Sequence, residues 1–530
     1  MVHNLIEEPI IRVEQESGAQ ETMTLPQVYG ALIADQIVHY TALRPHQVFA
    51  WHAFLVQVAA MGLEALEWNE PPGDDEIAWT EILRALTPDW SNDEPWSLVT
   101  PPDHPALLQA PVSKADLPQY KKEFKNEIST PDALDMLVTA KNHDLKGSRM
   151  THSHPDDWLF ALVSLQTQEG VMGSGKYGIA RMNGGYGSRS YLALRPAEAS
   201  VGAAFWRDLT IILEKRDILW DTAQTHGFAT QQAIPLLWTE SWSRGDQPLP
   251  LSRLHPLFVE MCRRIRLESR DGRLLAQTAG SKHARVAASH LNGNLGDPWT
   301  LVELSDPPKS LSITSEGFSY RRLSELIFGS DKRSYRLPLL AEPSEQERTS
   351  SAQLVATGIA RGQGKTEGFH SQVVDIPPKA ISLLAGARQG IAQRAQERVR
   401  RAGEAQGKCL RSSLIVLFQI QNGRNHLNFN DDLTKPWLDR FDHRVDQHFF
   451  AELWHSLEMD EEDASHEWDK TLADIARKTL AEASEAAPSL DERRIMAQAR
   501  ASNMLEGALY KHLSNLRPKK VAVEANDQPQ

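Results

Sequence analysis

Apolar residues form short, interrupted segments over the first part of the chain, up to about residue 377. The stretch "RPHQVFAWHAFLVQVAAMGLEAL", with Pro45 near its start, has apolar positions at helical spacing and predicts a buried helix. The opening "LIEEPIIRVE" predicts an edge strand or hairpin, and the pieces between Asp306 and Phe369 are typical of strands and short helices. Residues 1–377 are therefore expected to form a mixed α/β domain.

The pattern changes at "VVDIPPKA", beyond which Ala, Leu, Gln, Glu and Arg dominate the sequence. Long segments with helical spacing follow, at roughly 379–405, 409–421, 440–458, 465–485 and 490–516. Such helices with short connections predict an antiparallel helical bundle over 378–517. The last residues, 518–530, are expected to be a disordered tail. The predicted fold class is therefore α+β.

The composition limits the classes of protein that fit. The 530 residues are 41% hydrophobic and 24% charged, as in a globular protein with a substantial core. We find no apolar run that predicts a membrane span and no secretory signal at the N-terminus. The two cysteines, Cys262 and Cys409, are too few for a cysteine-based zinc site or a disulfide framework. A reducing, cytoplasmic location is therefore expected.

The charge distribution leaves room for nucleic-acid binding at local patches. The net charge of −13 argues against a protein whose whole surface coats nucleic acid. Basic patches can still hold a phosphate backbone. One candidate segment runs from Gly170 to Ala197 and contains no acid. Its basic residues are Lys176, Arg181, Arg189 and Arg195.

A second basic segment, 388–411, contains seven basic residues and two acids, Glu397 and Glu404. Four of the basic residues recur at spacings that share one helical face, and they are Arg394, Arg398, Arg401 and Lys408. Contact with phosphates and ordinary solvent exposure both fit this pattern.

The stretch "GVMGSGKYG" is similar to a P-loop from Gly170 to Lys176. Tyr177 stands where a P-loop needs a Ser or Thr hydroxyl for Mg²⁺, and the following "RMNGGYGSRS" predicts a loop where a P-loop needs a helix. A surface loop without a ligand remains one alternative. Seven glycines fall between Gly170 and Gly187, and glycines let a backbone approach a groove closely. Together with the basic residues, they favour contact with nucleic acid.

A metal site is the other candidate for chemistry. In "THSHPDD", His152, His154, Asp156 and Asp157 are possible metal ligands, although a polar surface loop explains the same residues. "RNHLNFNDD" around His426 has the residue types of HNH nucleases but lacks their surrounding hairpin, so we interpret it as a connection within the bundle. A P-loop-like or metal-dependent enzyme using Gly170–Lys176 or His152–Asp157 is therefore the alternative function.

Three stretches carry a resemblance to a known family. They are "HNLIEEPIIRV" followed by "TLPQVY", then "HPALLQ" and "TPDALDMLV" before the Gly173–Gly175 loop, and finally "AQARASNMLEGALYKHLSNLRP". In order and spacing they resemble CasA, the large subunit of the type I-E CRISPR surveillance complex (Cascade). The resemblance covers nearly the whole chain, with a looser match over 200–380. It implies an α/β N-terminal domain, a C-terminal four-helix bundle, and a protein that is not an enzyme and needs no cofactor or metal.

The resemblance implies that the protein reads a short duplex motif, the PAM, from the minor groove, wedges the duplex open and so starts R-loop formation. Guide RNA reads the rest of the target by base pairing. The reading loop falls on Gly173, Ser174 and Gly175 with the adjoining Lys176. A lysine finger is best matched by Lys282, with His283 and Arg285 as alternatives. A wedge at a hairpin tip falls on Gly362, Gln363 and Gly364.

The resemblance also implies partners. They are the guide RNA, double-stranded target DNA, the other Cascade subunits and a recruited helicase-nuclease. A loop for the guide RNA and the neighbouring subunit corresponds to 142–154, with Asn142, Lys146 and Arg149 as its polar contacts. Arg394, Arg398, Arg401 and Lys408 become candidates for contacts with the displaced strand. A scaffold whose glycine loop touches only protein remains the third alternative.

Overall fold

The computed structural model describes residues 2–135, 137, 150, 152–330, 332–362, 365–386, 388–421, 432–486 and 492–516. They form two compact units. Unit 1 contains Met1–Phe318 and Asp331–Ile381, and unit 2 contains Ser319–Ser330 and Ser382–Gln530. Unit 1 mixes helices with sheets and unit 2 is helical, so the predicted α+β class is confirmed.

The helices of unit 1 are α1 (Leu25–Ile33), α2 (Val48–Ala65), α3 (Glu76–Ala85), α4 (Tyr120–Glu123), α5 (Pro155–Gln168), α6 (Val201–Glu214) and α7 (Arg216–Thr225). Its first strands are β1 (Val2–Asn4), β2 (Ile11–Gln15), β3 (Gln20–Met23), β4 (Ile37–Tyr40), β5 (Ser97–Val99), β6 (Asn126–Ile128), β7 (Tyr191–Pro196) and β8 (Ile234–Leu236). The remaining strands are β9 (Leu254–Val259), β10 (Arg264–Arg270), β11 (Arg273–Ala279), β12 (Val302–Glu303), β13 (Lys309–Ser310), β14 (Tyr335–Arg336), β15 (Ala352–Gly362) and β16 (Lys365–Ile376).

Helix α2 is the centre of the unit 1 core. By length and composition it is apolar enough to cross a membrane, but 83% of it is buried inside the protein. Trp51 stacks on Phe54 and meets the edge of Phe160 from α5. A Cβ at Gly62 would lie 2.5 Å from Ile82 Cγ2, so this glycine lets α3 pack directly on α2. The predicted buried helix is thus the core element around which α1, α3, α5 and α6 are arranged.

Small sheets surround this core. The three-stranded sheets have the orders β3–β2–β4, β10–β11–β6, β13–β12–β14 and β16–β15–β7, and β1–β5 and β8–β9 form pairs. Among the strands of the described residues, β8 and β9 form the parallel pair and the other pairs are antiparallel. The longest hairpin, β15–β16, pairs from Ala352↔Ile376 to Gly362↔Lys365, with an irregularity between Ala360 and Arg361. This register places residues 363 and 364 between the two strands, and both lie outside the described residues.

The described residues of unit 2 form a bundle of four long helices. Its helices are α8 (Tyr320–Phe328), α9 (Pro378–Gly386, which begins in unit 1), α10 (Arg388–Glu404), α11 (Arg411–Gln421), α12 (Lys435–His455), α13 (Glu461–Glu485) and α14 (Glu492–His512). A π-helical segment, Ala405–Leu410, joins α10 and α11 into one continuous helix. The sequence predicts two separate helical segments, 379–405 and 409–421, but the chain between them continues as a wider helix.

Side-chain hydrogen bonds show that successive helices are antiparallel. Arg394 in α10 reaches the carbonyl of Ser456 after α12, whereas Gln406 reaches that of Leu438 near the start of α12. Between the next two helices, Arg444 donates to Glu482 and Thr471 to Glu452. Between α13 and α14, Arg477 donates to Glu506, and the backbone of Asn515 donates to Asp469.

One short helix departs from the predicted division of the chain. Ser319–Ser330, which includes α8, groups with the bundle, although the sequence assigns it to the 1–377 domain. The backbone N–H of Tyr320 donates to Asp446 at 2.5 Å, and the ring of Tyr320 lies 5.0 Å from that of Phe449 in α12. These contacts join residues more than a hundred positions apart, which local patterns do not reveal.

Candidate nucleic-acid interface

The stretch Gly170–Gly178, hereafter the glycine loop, turns sharply at its centre. The N–H of Lys176 donates to Gly173 O at 3.0 Å, and the N–H of Met172 donates to Lys176 O at 2.9 Å. Gly173 has φ +106° and Gly175 has φ +75°, conformations that favour glycine. The side chains of Ser174 and Lys176 are exposed. The loop therefore presents a short stretch of backbone, a hydroxyl and an ammonium group to solvent.

The P-loop alternative does not fit this geometry. Residues after Lys176 continue as irregular structure, and the next helix is α6, which begins at Val201. A P-loop requires its helix to begin at the lysine, so that the helix N-terminus faces the phosphates. The P-loop reading of Gly170–Lys176 is therefore wrong.

Several of the seven glycines serve contacts within the chain. A Cβ at Gly170 would lie 2.4 Å from the carbonyl oxygens of Gly185 and Gly187, and one at Gly178 would lie 2.8 Å from Gly170 C. At Gly173, by contrast, no atom lies within 4 Å of the Cβ position. The sequence favours one role for all seven glycines, which is to let the backbone come close to a nucleic-acid partner. The structure corrects this, because Gly178 lets the end of the loop pack on its start, and Gly170 lets the start pack on the later backbone at Gly185 and Gly187.

Lys282 lies beside the glycine loop. The N–H of Ser281 donates to Gly175 O at 3.2 Å, and the hydroxyl of Tyr177 donates to Lys282 O at 2.7 Å. The N–H of Lys282 in turn donates to Arg244 O at 2.9 Å. The Lys282 side chain is exposed. The structure thus brings two elements that are a hundred residues apart into direct contact.

Arg285 is excluded as the alternative to Lys282. Its guanidinium is buried, donates to the carbonyls of Ser241 and Glu240 at 3.0 and 2.8 Å, and lies over the ring of Trp242. Burial lowers the pKa of Arg285 to about 10, against the nearby charge of Glu240. His283 is half-buried. Lys282 is therefore the exposed cation of this segment.

A buried carboxylate, Glu169, joins the glycine loop to the β15–β16 hairpin. It accepts a hydrogen bond from Arg361, next to the hairpin tip, and pairs with Arg263 at 2.9 Å. Arg263 also donates to Gly170 O at 2.9 Å and to Tyr177 O, so it holds both ends of the loop. Gly362 is the last described residue before the tip, and Gln363 and Gly364 lie outside the described residues.

A cysteine lies beside the Glu169 network. The neighbouring Cys262 is buried, and burial raises its pKa to about 12, so the thiol is neutral at physiological pH. In the sequence, Tyr177 stands out only as the residue that breaks the P-loop pattern, and sequence reasoning missed Glu169, Arg263 and Arg361. One feature of the sequence does point to Glu169: it is the last acid before the acid-free segment that begins at Gly170.

Three arginines of the acid-free segment do not form a surface patch. Arg181 and Arg189 are buried and pair with Glu260 at 3.2 Å and Asp297 at 2.6 Å, respectively. Arg195 is half-buried. The expected basic patch is therefore reduced to Lys176, with Lys282 beside it. Sequence reasoning missed this because the acids that pair with the arginines lie far along the chain.

The metal-site alternative is also wrong for the residues proposed. Asp156 is fully buried and accepts from Arg12 Nε at 2.9 Å. Asp157 accepts from the N–H of His154 at 2.7 Å and thereby caps α5. In the described part of the chain, no three His, Cys, Asp or Glu residues are grouped to hold a metal ion. The guide-RNA loop residues Asn142, Lys146 and Arg149, and His426, lie outside the described residues.

The four bundle cations share one helical spacing but do not share one exposed face. Arg401 is buried and donates to the buried Asp469, and Arg398 is buried over the ring of Trp468. Arg394 is half-buried and bonds to the carbonyl of Ser456. The expectation that these arginines contact a displaced strand is corrected, because they face the inside of the bundle. Lys408 is exposed and pairs with Glu404 at 2.8 Å.

Comparison with known proteins identifies the family. The fold is an α/β unit joined to a four-helix bundle, with an exposed glycine loop beside a lysine. A family model described as CRISPR-associated protein Cse1 matches residues 4–479. The chain therefore belongs to the Cse1 family. No curated protein matches it.

Solved structures share the fold. Cse1 from Thermobifida fusca is 16% identical, with a TM-score of 0.66 and coverage of 97% of this chain and 98% of that chain. CasA (Cse1) from Thermus thermophilus is 16% identical, with a TM-score of 0.63 and coverage of 96% and 99%. Cse1 from Acidimicrobium ferrooxidans is 16% identical, with a TM-score of 0.62 and coverage of 98% and 99%. The resemblance to CasA is thus confirmed at the level of family and fold.

Proposed function

We propose that this protein is the large, non-catalytic subunit of a type I-E CRISPR surveillance complex (Cascade) in the cytoplasm, and that it reads the PAM from the minor groove of target DNA. Membership in the Cse1 family supports the complex. The observation that carries PAM reading is the contact between the glycine loop and the Lys282 segment. Two hydrogen bonds, Tyr177 to Lys282 O at 2.7 Å and Ser281 to Gly175 O at 3.2 Å, hold them together.

The chemistry of this surface suits a minor groove. The open space around Gly173 lets the backbone approach a narrow groove, and the exposed Ser174 hydroxyl can meet base edges. Lys176 and Lys282 are exposed and can pair with the flanking phosphates. The minor groove offers a degenerate pattern of donors and acceptors, so such a reader accepts more than one PAM.

We propose that the wedge at the hairpin tip is held by the same buried residue, Glu169, as the glycine loop. Gln363 would enter the first base step beside the PAM and separate its strands, as inserted side chains do in minor-groove binders. Support comes from the hairpin register, which ends at Gly362 and Lys365, and from Arg361, which binds Glu169. Glu169 also pairs with Arg263, which bonds to both ends of the glycine loop. The glycine loop and the wedge hairpin are therefore held by one network of buried ion pairs.

The remaining contacts are proposed on the basis of the family resemblance. Guide RNA and the neighbouring subunit would meet Asn142, Lys146 and Arg149. Of the four bundle cations considered, Lys408 is the exposed one, and it would meet the displaced strand in exchange for its surface ion pair with Glu404. The bundle would also help to recruit the helicase-nuclease that degrades the target.

The test is binding of target duplexes by the reconstituted complex at fixed salt, with a library of flanking trinucleotides. Gly173→Asp, Lys282→Ala and Gln363→Ala should each reduce PAM-dependent binding while guide-RNA assembly persists. Lys282→Ala should also lower the slope of affinity against salt by about one charge. Lys215→Ala, at an exposed lysine between α6 and α7, is the matched control and should leave binding unchanged.

The outcomes separate the competing functions. If all three variants bind every duplex as the wild type does, the glycine loop is a protein contact and the scaffold alternative replaces PAM reading. If Lys215→Ala weakens binding as much as Lys282→Ala does, the effect is one of net charge, and the placement of the lysine finger is wrong.

A further inference from the structure

An apolar cavity of about 150 Å³ lies within unit 1, and neither the glycine loop nor Lys282 lines it. Its wall includes Leu32 of α1, Leu55 of α2 and Phe205 of α6. His39, which also lines it, is exposed, so the cavity reaches the protein surface. An engineered apolar cavity of about 150 Å³ binds benzene. The space therefore suits one benzene-sized group.

Arg195 of β7 places a positive charge at this cavity. Its guanidinium carbon lies 4.5 Å from the centre of the Phe49 ring. Across the described ranges, its side chain has no hydrogen bond and no carboxylate within ion-pair distance. Asp208 acts on it only from a longer range, and that carboxylate already pairs with His52 at 2.9 Å and accepts from Trp299 at 3.0 Å. A guanidinium has five N–H donors, so an anion is the ligand that this position lacks.

Two more polar atoms of the wall are buried, Tyr40 Oη and Trp51 Nε1. Neither makes a hydrogen bond of ordinary geometry, but the indole N–H lies close enough to Tyr40 Oη to act on its pKa. Burial raises the pKa of Tyr40, against a smaller opposing effect of the nearby Trp51 indole. The indole N–H is only a donor and faces Tyr40 Oη, so the Tyr40 O–H is the buried donor left without an acceptor. Such a donor is uncommon in folded proteins and again favours a ligand that accepts hydrogen bonds.

We propose that this cavity binds a small monocarboxylate with a benzene-sized apolar body. The carboxylate would accept two parallel hydrogen bonds from Arg195, the geometry that a guanidinium favours. The apolar body would pack against Leu55 and Phe205. A single delocalised charge suits the site better than a phosphate does, because a dianion is costlier to remove from water into an apolar wall.

Binding there would stabilise unit 1. The ligand would connect α2 and α6 with β7, and β7 pairs with β15 of the long hairpin. A ligand that binds only the folded state raises the midpoint of unfolding as its concentration increases. The site is independent of PAM reading and would remain if that function were disproved.

Benzoate is the probe, tested on the full chain by calorimetric titration and thermal unfolding. Benzoate should bind at saturation to one site, with a dissociation constant on the order of 1 mM or lower for a ligand of this size. Benzyl alcohol has the same ring without the charge and should bind about tenfold more weakly or worse. Absence of saturable benzoate binding would overturn the proposal, as would equal affinity for the two compounds.

Two variants locate the site. Arg195→Met keeps an unbranched stem over the Phe49 ring and removes the charge, so benzoate should bind about tenfold more weakly or worse while benzene binding persists. Ala204→Leu adds bulk at the cavity wall and should abolish binding of both. If Ala204→Leu does not fold, Arg195→Met still decides the matter, because within the described residues the Arg195 side chain makes no hydrogen bond that the substitution would break. Unchanged benzoate affinity in Arg195→Met would overturn the proposal.

Discussion

The phenolic hydroxyl of Tyr177 donates a hydrogen bond to the backbone carbonyl of Lys282 at 2.7 Å. This contact joins the end of the glycine loop to a segment that follows β11. Tyr177 occupies the position at which a P-loop would have a metal-binding hydroxyl, and here its hydroxyl reaches a different part of the fold. The residue that excludes a nucleotide site is therefore the residue that aligns the two halves of the proposed reader.

Tyr177→Phe should weaken PAM-dependent DNA binding. It removes one hydrogen bond, worth about 1 kcal/mol, and so loosens the loop relative to Lys282 with an affinity loss of about fivefold. Tyr186→Phe is the matched control, because Tyr186 is an exposed tyrosine of the same segment. Binding of a PAM duplex by the complex measures both. Equal losses in the two variants would show that the Tyr177 contact has no special role.

Glu169→Gln should destabilise unit 1 by about 3–5 kcal/mol, because it leaves the buried Arg263 and Arg361 without their counter-charge. Hydrogen exchange of peptides from the glycine loop and β15 reports the local free energy of unfolding. Glu240→Gln is the control: its carboxylate pairs with Arg253 at a more exposed site, where about 0–1 kcal/mol is expected. A loss at Glu169 no larger than at Glu240 would contradict the proposed shared support.

Alanine substitutions should separate structural glycines from the reading glycine. Gly178→Ala should reduce stability by about 1–3 kcal/mol, since its Cβ would overlap the backbone of Gly170. Gly173→Ala has free space but a left-handed φ, so it should cost about 1 kcal/mol and mainly reduce DNA binding. Thermal unfolding and duplex binding are measured for both. A Gly178→Ala protein of full stability would rule out the packing role.

The bundle arginines should act on stability without affecting DNA. Arg401→Ala leaves the buried Asp469 unpaired and should cost about 3–5 kcal/mol in unit 2. Arg398→Met should be close to neutral, because burial lowers the pKa of Arg398 to about 10 and its stem packs on Trp468. Urea unfolding of the two variants measures this difference. A displaced-strand defect in a fully folded Arg398→Met protein would restore the original prediction for this residue.

Lowering the pH should reduce the unfolding free energy of unit 1, because the Asp135 carboxylate becomes protonated. Burial opposes ionisation of this carboxyl, but hydrogen bonding and charge from His46, together with Arg44, outweigh it and lower its pKa. The ionised form thus stabilises the fold above the unfolded pKa of about 3.9, and this contribution is lost as the pH falls through the lower folded pKa. Unfolding free energies measured down to about pH 3 should fall less steeply in Asp135→Asn than in the wild type. Asp89→Asn, at an exposed aspartate, should follow the wild-type curve.

Local patterns predicted elements better than they predicted exposure. The α2 helix and the long bundle helices follow from apolar spacing, because each is decided within a few turns of chain. Arg398 and Arg401 face the inside of the bundle because they contact Trp468 and Asp469. These two partners are more than sixty residues away in the sequence, so local spacing does not reveal them. The glycine cluster misled in a similar way, since the carbonyls that crowd Gly170 belong to Gly185 and Gly187, beyond the glycine loop.

Because α8 belongs to the bundle unit but precedes residue 382 in the sequence, recombination cannot exchange the whole bundle with a single cut at that boundary. The chain passes between the units after Phe318, after Ser330 and after Ile381, so a gene fragment beginning at residue 382 encodes the bundle without α8. Such a fragment would leave Asp446 without the N–H of Tyr320 and Phe449 without its ring. A recombination event at the apparent boundary would pair a bundle with another protein's α8. The two units are therefore expected to evolve as a linked pair and to resist exchange as separate cassettes.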